Sequence, residues 1–164
     1  MPIRQFDVQR FSVTSAKSFE DVIQAVHDAI GHPNLAVMQR EVAATKTYGG
    51  MEAIINNATG PSGLMEFMRL DMGMYLAKGR TGKTPRSHRL LVGNPLIMRR
   101  MAEHVPDTAS YAPVTILIDE REDGVQLSYD RMASFLASYA NAAASAVAVD
   151  LDRKVEAMLT AAAG

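Results

Sequence analysis

The stretch HRLLVGNPLIMRRMAEHVPDTASYAPVTILIDEREDGVQLSYDR, residues 88–131, decides the architecture. His88 to Val92 is short, largely apolar and closed by Gly93, which reads as a strand. Asn94 then offers a side-chain acceptor for orphan helix amides, and Pro95 brings a φ already suited to a first helical residue. A short helix is therefore expected from Pro95 to about His104, with Pro106 ending it. Val114 to Asp119 and Val125 to Tyr129 read as strands, and the charged segment Glu120 to Gly124 between them as a hairpin tip. Strand, helix and hairpin in this order put antiparallel neighbours into one sheet and oblige the helix to cover one of its faces.

Towards the N-terminus, Leu64 to Leu76 alternates. Leu64, Met68, Leu70, Met72, Met74 and Leu76 share one parity, and Phe67, Arg69, Asp71 and Tyr75 share the other. This predicts a long strand with a core face and a polar-aromatic face. The loop Gly79-Arg80-Thr81-Gly82-Lys83-Thr84-Pro85 would join it to the strand at His88 as a hairpin, and Gly60-Pro61-Ser62-Gly63 precedes it as a turn. Tyr48 to Ala58 suits a short helix around Met51, Ile54 and Ile55, and Leu35 to Ala43 suits a strand. Ser18, three residues before Asp21, has the form of a capping box, after which Phe19, Val22, Ile23, Val26 and Ile30 follow at helical spacing until Gly31 and Pro33. Ile3 to Val13 suggests a first strand, with a bulge near Gln9-Arg10 where the apolar parity passes from Phe6 and Val8 to Phe11 and Val13.

Beyond Arg131, a short helical segment is expected over Met132 to Tyr139 and a last helix from Ala142 to Ala162. The buried face of that helix should carry Ala144, Ala148, Leu151, Val155, Met158 and Ala162, with Asp150 and Lys154 outside. The sum is an α+β chain of β-α-β(4)-α type, a two-layer sandwich in which helices cover a mainly antiparallel sheet. A length of 164 residues with 48% apolar content fits a single domain over residues 1–164. Lys plus Arg number 17 against 18 for Asp plus Glu, so no global field draws the chain to nucleic acid or to an anionic membrane. Cysteine is absent, which excludes disulfides and thiolate chemistry and fits a reducing, cytoplasmic setting.

Several of these segments together resemble a known family. Gly93-Asn94-Pro95-Leu96-Ile97, Tyr111-Ala112-Pro113-Val114-Thr115-Ile116-Leu117-Ile118, Gly124, Tyr129-Asp130-Arg131 and Leu151-Asp152-Arg153-Lys154 look like the bacterial domain of unknown function family 302, over most of the chain after Ser12. The resemblance implies a β-α-β-β-β-β-α domain, usually a homodimer, and no established reaction. Many relatives carry cysteine before the Asn-Pro pair and after the later proline. Here those places hold Gly93 and Val114, so thiol chemistry does not carry over, and Met132-Ala133 stands where relatives often have Pro-Ser.

The local motifs favour binding over catalysis. Ala77 to Thr84 matches a relaxed phosphate-loop pattern, but no helix can follow Pro85 before the next strand, so the amide cradle is missing. Lys78, Arg80, Lys83, Arg86 and Arg89 form a basic run that suits an anion or a solvated face. The methionine pairs Met65/Met68, Met72/Met74 and Met98/Met101 would suit Cu(I), yet Met68, Met72 and Met74 share a strand face with Leu64, Leu70 and Leu76, where packing is expected, and the same pliable residues could line an apolar pocket. His27, His32, His88 and His104 lack metal-ligand spacing, and no cofactor or metal is expected. The ligand-binding candidates are Asn94, Arg69, Tyr111, Tyr129, Asp130 and Arg131, each with a structural alternative: a helix cap, a packed aromatic pair, an ion pair at the strand exit.

The leading expectation is a non-catalytic, cytoplasmic bacterial homodimer that binds a small, partly apolar or anionic ligand, and neither nucleic acid nor membrane. The alternatives are an enzyme on a small anionic metabolite, with His88 or Asp71 as base and Arg131 as anion holder, or a purely structural module whose exposed sheet face a second subunit covers.

Overall fold

The computed structural model describes residue 3 and residues 5–164. Five strands form one antiparallel sheet in the order β1-β5-β4-β3-β2: β1 (Arg10–Ser15), β2 (Met65–Asp71), β3 (Ser87–Gly93), β4 (Val114–Arg121) and β5 (Gly124–Asp130). Helix α1 (Phe19–Ala29) follows β1, α2 (Leu35–Ala44) and α3 (Tyr48–Ala58) precede β2, and α4 (Gly73–Leu76) lies between β2 and β3. After β3 come α5 (Pro95–Ala102) and, after β5, α6 (Met132–Leu136) and α7 (Ala142–Ala163). The chain is thus an α+β two-layer sandwich. Leu90, Val92, Ile116, Ile118, Val125 and Leu127 point from the sheet into a core closed by Val22 and Val26 of α1 and by Ala148, Leu151 and Val155 of α7.

Local chemistry accounts for most boundaries. Ser18 Oγ accepts from the Asp21 amide at 3.1 Å and donates to Asp21 Oδ2 at 2.7 Å, while Asn94 Oδ1 accepts from Leu96 at 2.8 Å ahead of Pro95. On α7, Ala144, Ala148, Leu151, Val155, Met158 and Ala162 are all buried. Asp150 and Lys154 are exposed as expected, and Asp150 pairs with Arg153 at 3.0 Å.

Three segments differ from expectation. Leu35–Ala44 is a helix where a strand is predicted: Asn34 Oδ1 caps the Val37 amide at 3.1 Å, and Leu35, Met38 and Val42 pack on Met51, Ile54 and Ile55 of α3. Leu35, Met38 and Val42 keep helical spacing, and the good helix formers around them agree with it. The strand at Leu64 stops at Asp71, because Gly73 opens the short turn of α4. Its register shifts between Glu66 and Met68, so Arg69 and Asp71 lie opposite Leu90 and His88 on the helix-covered side, and Met68 and Leu70 opposite Leu91 and Arg89 on the other. Met68 and Leu70 of the supposed core face are therefore outside, at 48% and 36% exposed, while Leu64 before the shift stays in the core at 0% and Met74 and Leu76 fall in the turn of α4. Finally, the first strand begins at Arg10, where the parity changes, and residues 5–9 are irregular; the expected start falls partly on residues outside those described.

The ends of α1 and α3 meet at two glycines. Gly31 and Gly60 both donate their amides to the Leu64 carbonyl at 2.9 Å, and the Gly31 carbonyl accepts from Glu66 at 2.8 Å. A Cβ on Gly31 would stand 2.0 Å from the Ala58 carbonyl oxygen, and one on Gly60 would stand 2.4 Å from the Ile30 carbonyl carbon. Gly31→Ala should destabilise the chain by about 2 kcal/mol or more in urea titration, as overpacking against rigid backbone does.

Candidate functional site

The residues after β5 build a buried polar junction. Asp152, on α7, is 0% exposed and Tyr129 is 1% exposed. The Tyr129 hydroxyl donates to Asp152 Oδ1 at 2.6 Å, the Met132 amide to the same oxygen at 2.7 Å, and the Ala133 amide to Oδ2 at 3.1 Å. Arg131 Nε lies 2.8 Å from Glu156 and 3.7 Å from Asp152. Burial, and then the neighbouring Asp152 charge, push the Tyr129 phenol well above its ordinary range. The arrangement fastens the strand exit, α6 and α7 together. Asp152 escaped the candidate set although Ala148 precedes it by four and Val155 follows by three, a spacing that puts it on the buried face of the helix.

Asp130 faces the other way. It holds Arg10 in a bidentate pair at 2.6 and 2.9 Å across β1 and β5 and borders a cleft of about 410 Å³ with Tyr111, Arg89, Leu91, Thr115 and Phe135. Tyr111 stacks on Phe135 at 5.0 Å, and its hydroxyl lies 2.9 Å from that of Tyr139, which donates to Asp107 at 2.8 Å. A cis peptide bond joins Ala112 to Pro113 at the rim. An adjoining hollow of about 180 Å³ shares Arg89, Thr115 and Asp130 and extends to Leu117 and Ser128. Arg89 touches Thr115 Oγ1 at 3.4 Å and forms no ion pair among the described residues, so the cleft contains an uncommitted guanidinium. In the sequence Arg89 stands out only as one member of a basic run.

The remaining candidates lie apart from this cleft. Asn94 spends both ends of its amide, accepting from Leu96 and donating to the Gly63 carbonyl at 2.9 Å, and it borders a small apolar hollow of about 100 Å³ with Phe67, Met98 and Pro113. Arg69 is paired with Glu66 at 2.6 Å on the opposite side of the sheet. Of the six ligand-binding candidates, the structure brings together Tyr111 and Asp130, with the Tyr129 backbone strand beside them.

His88 and Asp71 meet as cross-strand partners on the helix-covered side and border another cleft, of about 440 Å³. Phe19 sets its ring edgewise to His88 at 5.1 Å. Burial lowers the His88 pKa from the ordinary 6.5, against a smaller opposing pull from Asp71, so the imidazole is neutral at neutral pH. The basic run does not assemble: Arg86 pairs with Glu120 at 3.0 Å and with Glu20, Lys83 pairs with Glu120 at 3.2 Å, and Arg89 faces the other side. Hydrogen bonds from Arg86 and Lys83 hold the Glu120 carboxyl down to about 2. Arg131 pairs with Glu156 at the α7 junction and does not line the cleft of His88 and Asp71. No group of three or more His, Asp or Glu with metal-binding geometry occurs among the described residues. Among the same residues, no helix is long and apolar enough to cross a membrane.

Two measurements follow from these environments. Asp152→Ala would strand buried donors from Tyr129, Met132 and Ala133 beside Arg131, and should cost about 3 kcal/mol or more in chemical denaturation. For His88 the folded-state pKa is depressed, so the unfolded chain takes the proton first as pH falls. Its contribution to stability is complete above about pH 6.5 and is lost as pH drops through the folded value. His88→Gln should flatten that acid-side decline in denaturation curves taken from about pH 7 to about pH 5.

The family described as domain of unknown function DUF302 matches residues 40–162. A crystal structure of an uncharacterized conserved DUF302 protein from Bacillus stearothermophilus superposes with a TM-score of 0.63 at 10% sequence identity, over 93% of this chain and 97% of that one. No curated protein matches the sequence.

Proposed function

The chain belongs to the DUF302 family, and on that footing we propose that it is a non-catalytic, cytoplasmic bacterial domain that forms a homodimer through the uncovered sheet face and holds a small, partly apolar anion in the cleft at Arg89. The supporting observation is the uneven clothing of the sheet. Helices α1 and α7 cover one face, while the other presents Met68 and Leu70 of β2 beside Leu91 of β3 and Leu117 of β4. Apolar side chains massed on the outer face of a sheet mark an interaction surface. Their rim is already charge-balanced, through Arg10 with Asp130 and Arg121 with Asp119 at 2.6 Å. A surface of that kind suits a second copy of itself, since an isologous contact sets each patch against its own equivalent.

The same face carries the ligand reading. Arg89 forms no ion pair among the described residues, Tyr111 and Phe135 supply an aromatic wall, and Thr115 supplies a hydroxyl, which together fit a carboxylate or phosphate group on an apolar body. The cysteine-free composition fits a reducing compartment, and the Bacillus relative supports a bacterial source.

Native mass spectrometry of freshly purified protein tests both parts. We expect a dimer with retained anion. Leu117→Glu should yield a monomer whose unfolding free energy stays within about 1 kcal/mol of the parent, because the position is outside the core. Arg89→Gln should remain dimeric and lose the anion. A parent that is monomeric at micromolar concentration would remove the dimer, and an Arg89→Gln protein that keeps its ligand would remove the site.

A further inference from the structure

The His88 cleft, on the other side of the sheet, has a charge balance of its own. Its walls are apolar: Phe19 and Ile23 from α1, Met74 from α4, and Pro85. Two carboxylates, Glu20 and Asp71, border it against the single guanidinium of Arg86. Arg86 lies over the Phe19 ring at 4.9 Å and is already satisfied by Glu20 and by Glu120. Asp71 has no cationic partner among the described residues. Its carboxylate is nonetheless held in place, because Oδ1 accepts from the Met74 amide at 3.2 Å. Room for it depends on Gly73, whose Cβ would stand 3.1 Å from that oxygen. Beside it, His88 keeps Nδ1 buried without a hydrogen-bond partner.

A positioned carboxylate, a neutral imidazole and an aromatic-apolar wall are matched by an ammonium group on an apolar body. The charge-assisted hydrogen bond falls on Asp71, and the body displaces water from half-buried Ile23 and exposed Met74. Glu20 and Arg86 neutralise each other, so an anion of the same shape would meet the remaining carboxylate of Asp71, and an uncharged apolar molecule would gain nothing from it. We propose that this cleft binds a small primary amine with an apolar body, its ammonium on Asp71 and its body against Ile23 and Met74. Neither the dimer face nor Arg89 enters this inference.

The test is titration of the isotope-labelled full chain with 2-phenylethylamine near neutral pH, followed by amide NMR, with 3-phenylpropionate as the carboxylate counterpart. The amine should shift the Asp71, Met74 and His88 amides saturably, and the carboxylate should not. Asp71→Asn keeps an oxygen for the Met74 amide and should weaken amine binding by about tenfold or more, the scale of a lost hydrogen bond to a charged group. Met74→Ala, at an exposed position that does not support the core, should weaken it several-fold through lost wall contact. Equal binding of the carboxylate, unchanged affinity in both variants, or the lack of any saturable shift would overturn the proposal.

Discussion

A carboxylate sealed inside the protein organises the end of the sheet. Asp152 has no exposed surface, so every lone pair it brings inside must meet a donor, and three donors come from two elements: the Tyr129 hydroxyl on β5 and the Met132 and Ala133 amides that open α6. A helix start is where unpaired amides stand ready, so one acid on α7 both caps α6 and fixes how α7 crosses the sheet. Arg131 and Glu156 extend the junction to the surface at 2.8 Å. Tyr129-Asp130-Arg131 therefore divides its labour: the first and third residues serve the interior and α7, and the second, facing the other way, serves the open face.

That division repeats along β3. Successive strand residues point to opposite faces, so His88 borders the cleft under α1 while Arg89 borders the cleft on the open side. The surroundings then separate their chemistry. On the covered side, burial keeps His88 neutral and the carboxylates outnumber the guanidinium. On the open side, Asp130 is consumed by Arg10 and the guanidinium of Arg89 is left over. One strand thus supplies an acidic recess and a basic one, separated by the thickness of the sheet.

The sequence was most informative where a side chain closes its own backbone. Ser18, Asn94 and the Glu120 to Gly124 tip act within three or four residues, and the helices and hairpin they mark are where they were expected. Two failures came from interactions the period of apolar residues cannot carry. Leu35, Met38 and Val42 lie in a short apolar run compatible with strand or helix, and the cap at Asn34 was the arbiter. In β2 the alternation was real, but one register shift at an edge strand exchanged the faces, sending Met68 and Leu70 outward and Arg69 and Asp71 towards the helices. Sites were harder still, because Tyr111 and Asp130 are joined by strand pairing and Asp71 and His88 by register, neither of which is local.

The exchange of faces in β2 also explains why the covered side contains a recess at all. Had Met68 and Leu70 pointed inward, they would have completed the core up to the sheet edge. With Arg69 and Asp71 there instead, the core stops at His88, and the space next to it remains open between α1 and α4. The outward Met68 and Leu70, in turn, extend the apolar patch of Leu91 and Leu117 to that same edge. A single irregularity between Glu66 and Met68 thereby shapes both faces: it leaves a polar hollow where the core would close and places apolar surface where a sheet would ordinarily be wetted.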